Sequence, residues 1–149
     1  MTMKLALNTQ RDLLQQSNVE VPSDAYLTLT TTVAQNFPAS IYTIFNWNTI
    51  VDQHRCTFIS PTSIEVPDTG WYIVSVAIAW NVNQTVFFRT QGNPFDAQDI
   101  GRTEVSNAAA NQLFYIVAGF PFYIQALPLG VVQSVITGNY PRVKIKKVR

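Results

Sequence analysis

Asp52, His54 and Cys56 fall at alternate positions, a spacing that in a strand sets three metal ligands, or a nucleophile with its base, on one side. Neighbouring side chains on one face of a strand stand about 7 Å apart, however, which is too far for a thiol to pass its proton to an imidazole. The three are therefore read as a loop aspartate, a surface histidine and a buried free thiol. Asp96, Asp99 and Glu104, beside Arg102, make a second acidic group in the loop-like stretch 93–110. Calcium loops collect more oxygens in a tighter run with a glycine turn, so this one is read as a solvated loop. No phosphate loop, Gly-x-Ser-x-Gly elbow, His-Glu-x-x-His helix or dinucleotide fingerprint occurs. The expectation is a protein that is not an enzyme and holds no metal or cofactor.

The elements that would have to position any site are strands. From Tyr26 onward, β-branched and aromatic residues come in short runs broken by Pro, Gly, Asn and Asp, the texture of an all-β sandwich. Strands are expected over residues 26–34, 41–47, 56–59, 63–66, 71–81, 85–90, 112–117, 120–127, 131–136 and 142–148. No helical crossover separates them, so the sheets must be mainly antiparallel, and a two-sheet jelly roll over residues 26–149 follows. Residues 1–25 stand apart as an arm. Thr9 and Asp12 are spaced as a capping box, Leu13 and Leu14 are the strong apolar pair of a short helical stretch at 3–17, and Val21-Pro22-Ser23-Asp24 ends it. So narrow an apolar face needs a neighbour to order it.

The chain has 149 residues, 47% hydrophobic and only 13% charged, which predicts one domain with one core and excludes a disordered tail. One cysteine excludes an intrachain disulfide framework. Five of the ten basic groups sit in Arg142, Lys144, Lys146, Lys147 and Arg149, so residues 1–141 carry five positive against nine negative charges. That balance disfavours nucleic acid. The N-terminal apolar run is too short and broken for an export signal or membrane span, so a soluble, unexported protein with no membrane insertion is expected.

The run 71–80 is the most informative, because neither alternating set of its residues is polar. Tyr72, Val74, Val76, Ile78 and Trp80 are bulky and fit a core between two sheets. Ser75, Ala77 and Ala79 are small and let another surface approach closely. Residues 120–127 are likewise apolar on both faces. One sandwich does not need two such strands, so one sheet is expected to pack on sister subunits through Ser75, Ala77, Ala79, Phe120, Phe122 and Ile124.

Segment 52–93 resembles the C1q/TNF-like jelly-roll family, in particular its versions in bacteriophage structural proteins. The likeness is carried by Asp52 and His54, then Pro61-Thr62-Ser63-Ile64-Glu65-Val66-Pro67-Asp68-Thr69-Gly70-Trp71-Tyr72, then Trp80, Arg89 and Gly92-Asn93. Residues 113–126 resemble the family's Leu-x-x-x-x-Ala-Gly turn and following apolar strand, and 140–148 its final core strand. The resemblance implies a homotrimer, with the inner sheet of each sandwich facing the other two. The leading expectation is a trimeric capsid decoration, or cement, protein located in the virion after assembly in the host cytoplasm. It would dock on the major capsid protein or another virion protein through Leu5, Leu13 and Leu14 of the arm and through Arg142, Lys144 and Lys146. The alternative is the receptor-binding head of a phage fibre or tail, holding a host surface glycan or protein through Asn93, Phe95 and Gln98.

Overall fold

A computed structural model describes residues 24–92, 98–103, 107–136 and 141–148. The expected arm and its helix, with Leu5, Leu13 and Leu14, lie outside the described residues. The strands are β1 (Tyr26–Thr30), β2 (Asn36–Phe37), β3 (Thr43–Ile44), β4 (Thr49–His54), β5 (Thr57–Ile59), β6 (Ser63–Glu65), β7 (Gly70–Ala79), β8 (Val86–Gly92), β9 (Gln98–Thr103), β10 (Asn107–Ile116), β11 (Phe122–Pro128), β12 (Val132–Gln133) and β13 (Arg142–Lys147). One sheet runs in the order β10-β7-β13-β1-β4. The facing sheet runs β5-β6-β11-β8-β9 with β3 also on β11, and β2 pairs β12 separately. All the named pairings are antiparallel, as the lack of crossover helices requires.

The core follows the expected parity. Tyr72, Val74, Val76 and Ile78 of β7 are fully buried, because successive side chains of a strand point to opposite faces and this set faces the other sheet. Leu27 and Leu29 of β1 and Val143 and Ile145 of β13 complete that layer. From the facing sheet come Ile64, Phe88, Ile124 and Ala126. At the end where β7 stops, Phe37, Phe45, Trp47, Trp80 and Phe88 pack ring to ring, with Phe37 and Phe45 centroids 4.8 Å apart and Phe37 edge-on to Trp80 at 5.2 Å. Aromatic rings prefer such tilted and offset contacts, and their large area dominates core energetics.

Four stretches escape the sequence reading: β2, which is only two residues long, β4, β9 and the first half of β10. β4 is an edge strand whose residues from Ile50 to His54 are all exposed, so it shows no apolar alternation; Asp52 therefore lies on a strand, not in a loop. β9 has Gly101 inside it and Ile100 as its buried apolar side chain. That moves Asp99 and Arg102 from the expected loop onto a strand. The first half of β10 is alanine-rich and has poor intrinsic strand preference, but ten consecutive register positions against β7 hold it extended. In the other direction, the expected 41–47 shrinks to β3 and 131–136 to β12.

Candidate interaction face

The outward set of β7 consists of Trp71, Ile73, Ser75 and Ala77. Register with β10 places Tyr115 opposite Trp71, Leu113 opposite Ile73, Asn111 opposite Ser75 and Ala109 opposite Ala77. Trp71 and Tyr115 meet edge to face with centroids 5.4 Å apart. Exposure of Trp71, Ile73, Leu113 and Tyr115 is 40%, 41%, 43% and 51%, high for four adjacent large apolar residues on a flat sheet. Ser75 and Ala77 continue the same face at half-exposure, as expected, while Ala79 is buried. The four large residues were not singled out in the sequence. Trp71 and Ile73 share the parity of Ser75 and Ala77, which is the signal that could have found them; Leu113 and Tyr115 needed the register with β10.

Phe122 and Ile124 do not belong to this face. They lie on β11 in the opposite sheet and point into the core, 3% and 0% exposed, which corrects their expected place in a subunit contact. Phe120, in the turn between β10 and β11, remains exposed.

The cationic strand β13 lies inside the five-stranded sheet, between β7 and β1, and Arg142, Lys144 and Lys146 stand beside Ala77, Ser75 and Ile73. On their other side come Thr30, Thr28 and Tyr26 of β1, then Asp52 and His54 of β4 beside Thr28 and Tyr26. The face is thus graded across the sheet: apolar on β10 and β7, cationic on β13, and mixed acid and imidazole on β4. Tyr26 stacks on His54 at 5.6 Å. A shallow depression of about 280 Å³ opens there, lined by Tyr26, Thr28, Asp52, Lys144, Ile145 and Lys146.

The Asp52, His54, Cys56 alternation is broken at Arg55, whose backbone is left-handed at φ 65°. Asp52 and His54 stay exposed while Cys56 turns inward to 3% exposure. Burial pushes the Cys56 thiol up to about 11, so it is protonated at neutral pH and is a packing residue rather than a nucleophile. Arg55 forks onto Asp68, Nη1 to Oδ2 at 2.7 Å and Nη2 to Oδ1 at 3.1 Å, tying the β4–β5 corner to the β6–β7 turn. The guanidinium holds the Asp68 carboxyl below its usual range. Tyr72 reaches the same turn, its hydroxyl donating to the Asp68 carbonyl at 2.7 Å. Among the described residues, no group of three or more His, Cys, Asp or Glu side chains is arranged to hold a metal. Asn93, Phe95, Asp96 and Glu104 lie outside the described residues, and of Gln98 only its position at the start of β9 is described.

No protein-family model matches the chain, and no curated protein matches it in sequence. Solved structures do. The crystal structure of murine APRIL is 12% identical with a TM-score of 0.60, over 85% of this chain and 100% of that one. Eiger TNF from S. frugiperda is 11% identical with a TM-score of 0.58, over 85% and 92%. The globular domain of zebrafish complement 1qA protein is 6% identical with a TM-score of 0.57, over 84% and 98%. At such identities the likeness is one of architecture, and it agrees with the strand order and burial described above. The chain folds as a C1q/TNF-like two-sheet antiparallel jelly roll.

Proposed function

We propose that this chain is a non-enzymatic structural protein of a virion, a capsid decoration protein that acts as a homotrimer. One observation carries the trimer: Trp71, Ile73, Leu113 and Tyr115 form an open apolar block on a sheet whose other face already closes the core. Closed threefold symmetry covers such a block on every copy at once. The small Ser75 and Ala77 beside it let the partner approach. A buried, protonated Cys56 and a lone exposed His54 support the non-enzymatic reading.

The decoration role draws on the resemblance of segment 52–93 to bacteriophage members of the fold family. In this reading the coat-docking element is the arm, with Leu5, Leu13 and Leu14. Arg142, Lys144 and Lys146 share a face with the apolar block, so in this reading they border the subunit contact and the arm is the element that meets the coat. Sedimentation equilibrium tests the trimer: the mass should be a multiple of three chains, and Ile73→Asp should remove the factor of three. A mass of one or two chains for the wild-type protein would sink the reading. Co-sedimentation with capsids tests the rest, since removal of residues 1–20 should abolish capsid binding and leave the threefold unit intact.

A further inference from the structure

The hollow over β1, β4 and β13 has a built interior. Leu27 and Leu29 of β1 face the core, so strand parity turns Tyr26 and Thr28 outward into it. Register sets Lys144 on one side of Thr28 and Asp52 on the other, with Lys146 beside Tyr26. Thr28 is the floor. It points away from the core yet is only 8% exposed, and its hydroxyl has no hydrogen-bond partner among the described residues. Thr30, the next outward residue of the strand, donates to the Pro141 carbonyl. A polar group buried to that degree is normally paired, which marks the Thr28 hydroxyl as a contact for whatever occupies the hollow.

The walls carry opposite charges that do not pair with each other. Lys144 and Lys146 alternate along β13, about 7 Å apart at the backbone, and neither ammonium makes an ion pair among the described residues. Asp52 stands across β1 from Lys144, about 10 Å away at two strand spacings. Its Oδ1 accepts from the Gln53 amide at 3.0 Å, and Oδ2 is open to a donor. Tyr26, its ring stacked on His54 at 5.6 Å, supplies an aromatic wall at the end nearest Lys146.

We infer that the hollow is a binding site for a sugar acid, a hydroxylated ring that carries one carboxylate. The carboxylate would meet Lys144 and Lys146, the ring hydroxyls would donate to Asp52 and share the Thr28 hydroxyl, and the C–H face of the ring would lie against Tyr26. A volume of about 280 Å³ suits one such ring. Other small ligands answer less of the site. A bare phosphate is smaller and brings its charge toward Asp52, and an amino acid held by its ammonium on Asp52 would set that charge toward Lys144. A neutral sugar leaves both lysines unanswered. The hollow lies on the other half of the sheet face from Trp71, Ile73, Leu113 and Tyr115, and each chain carries it complete. Binding therefore does not depend on the number of chains in the particle.

Ligand-observed NMR titrations of the full chain with glucuronate, glucose and inorganic phosphate test this. Glucuronate should bind with a Kd of about 1 mM, and glucose and phosphate at least about tenfold more weakly. Lys144→Gln should weaken glucuronate by about tenfold, and Thr28→Val, which removes the floor hydroxyl and keeps its shape, by about fivefold. Asp52→Asn separates this site from a general anion site: here it should weaken glucuronate, whereas loss of a negative charge would tighten a plain anion site. All three side chains point away from the core, so the variants should fold as the wild type does. Methyl β-glucuronide distinguishes the source of the ligand, since binding equal to that of glucuronate assigns a glycan-linked residue and loss of binding assigns the free acid. Equal affinity for glucuronate and phosphate, tighter glucuronate binding by Asp52→Asn, or no saturation below about 50 mM would overturn the inference.

Discussion

The two outer sheet faces of this sandwich have the same architecture and opposite chemistry. On the six-stranded sheet, the outward residues Phe87, Arg89 and Gln91 of β8 and Tyr123 and Leu127 of β11 are all half-buried by one another. Arg89 lies over the Tyr42 ring at 3.5 Å and donates from Nε to Gln125 Oε1 at 2.6 Å. Gln125 is thereby 8% exposed without leaving the surface layer. On the five-stranded sheet nothing in the chain lies over Trp71, Ile73, Leu113 and Tyr115 among the described residues. A sheet face that satisfies its own polar groups and shields its own apolar area needs no partner. The other leaves four large apolar side chains open, and that difference is what puts the proposed association surface on the five-stranded sheet.

The comparison can be broken most decisively at Ile73. An aspartate there would be carried into the subunit contact with Lys146 of the same chain beside it but no partner across the contact, and its desolvation should cost more than about 2 kcal/mol per copy, which over three copies weakens threefold assembly by more than about 10,000-fold. Sedimentation equilibrium reads this as loss of the factor of three. The seam between the sheets should remain closed in both forms. Cys56 should react with a maleimide at least about 100-fold more slowly than an exposed cysteine, in assembled and dissociated protein alike, given a thiol near 11 inside the seam. Fast labelling of the dissociated form would mean that assembly, not the core, holds the sandwich shut.

The self-covered face should give a smaller and different response. Arg89→Ala removes a cation–π contact and a hydrogen bond, so it should destabilise each chain by about 1–2 kcal/mol in urea unfolding while the oligomeric mass stays unchanged. A change in mass would show that this face also binds a neighbour. The smallest effect belongs to Arg55 and Asp68, which are exposed by about a third and belong to neither face. The folded Asp68 carboxyl titrates below its unfolded value, so its contribution is present above the unfolded pKa near 4 and is lost as pH falls through the folded pKa. Asp68→Asn should flatten that acid limb of the pH–stability curve slightly and leave assembly untouched.

Much of the fold was legible because alternation is a local property. The even positions Tyr72 to Trp80 are read as core from the sequence, and all are buried. Phe122 and Ile124 show the limit of the same reasoning: residues 120–127 are apolar on both parities, and only their place on β11, between β6 and β8, says which parity faces inward. β4 was unreadable because an exposed edge strand has no apolar face to alternate with a polar one. The basic terminal segment was readable as a strand over 142–148, but its location beside the apolar block was not.

The sequence by itself determined that this is an all-β sandwich with surplus apolar area, because strand periodicity, turn residues and the lack of crossovers act over a few residues each. The tertiary structure alone decided where that surplus lies. Trp71 meets Tyr115 across 44 positions of chain and Ile73 meets Lys146 across 73. Such neighbours are chosen by the register of distant strands, which closes only when both sheets bury their inward faces together.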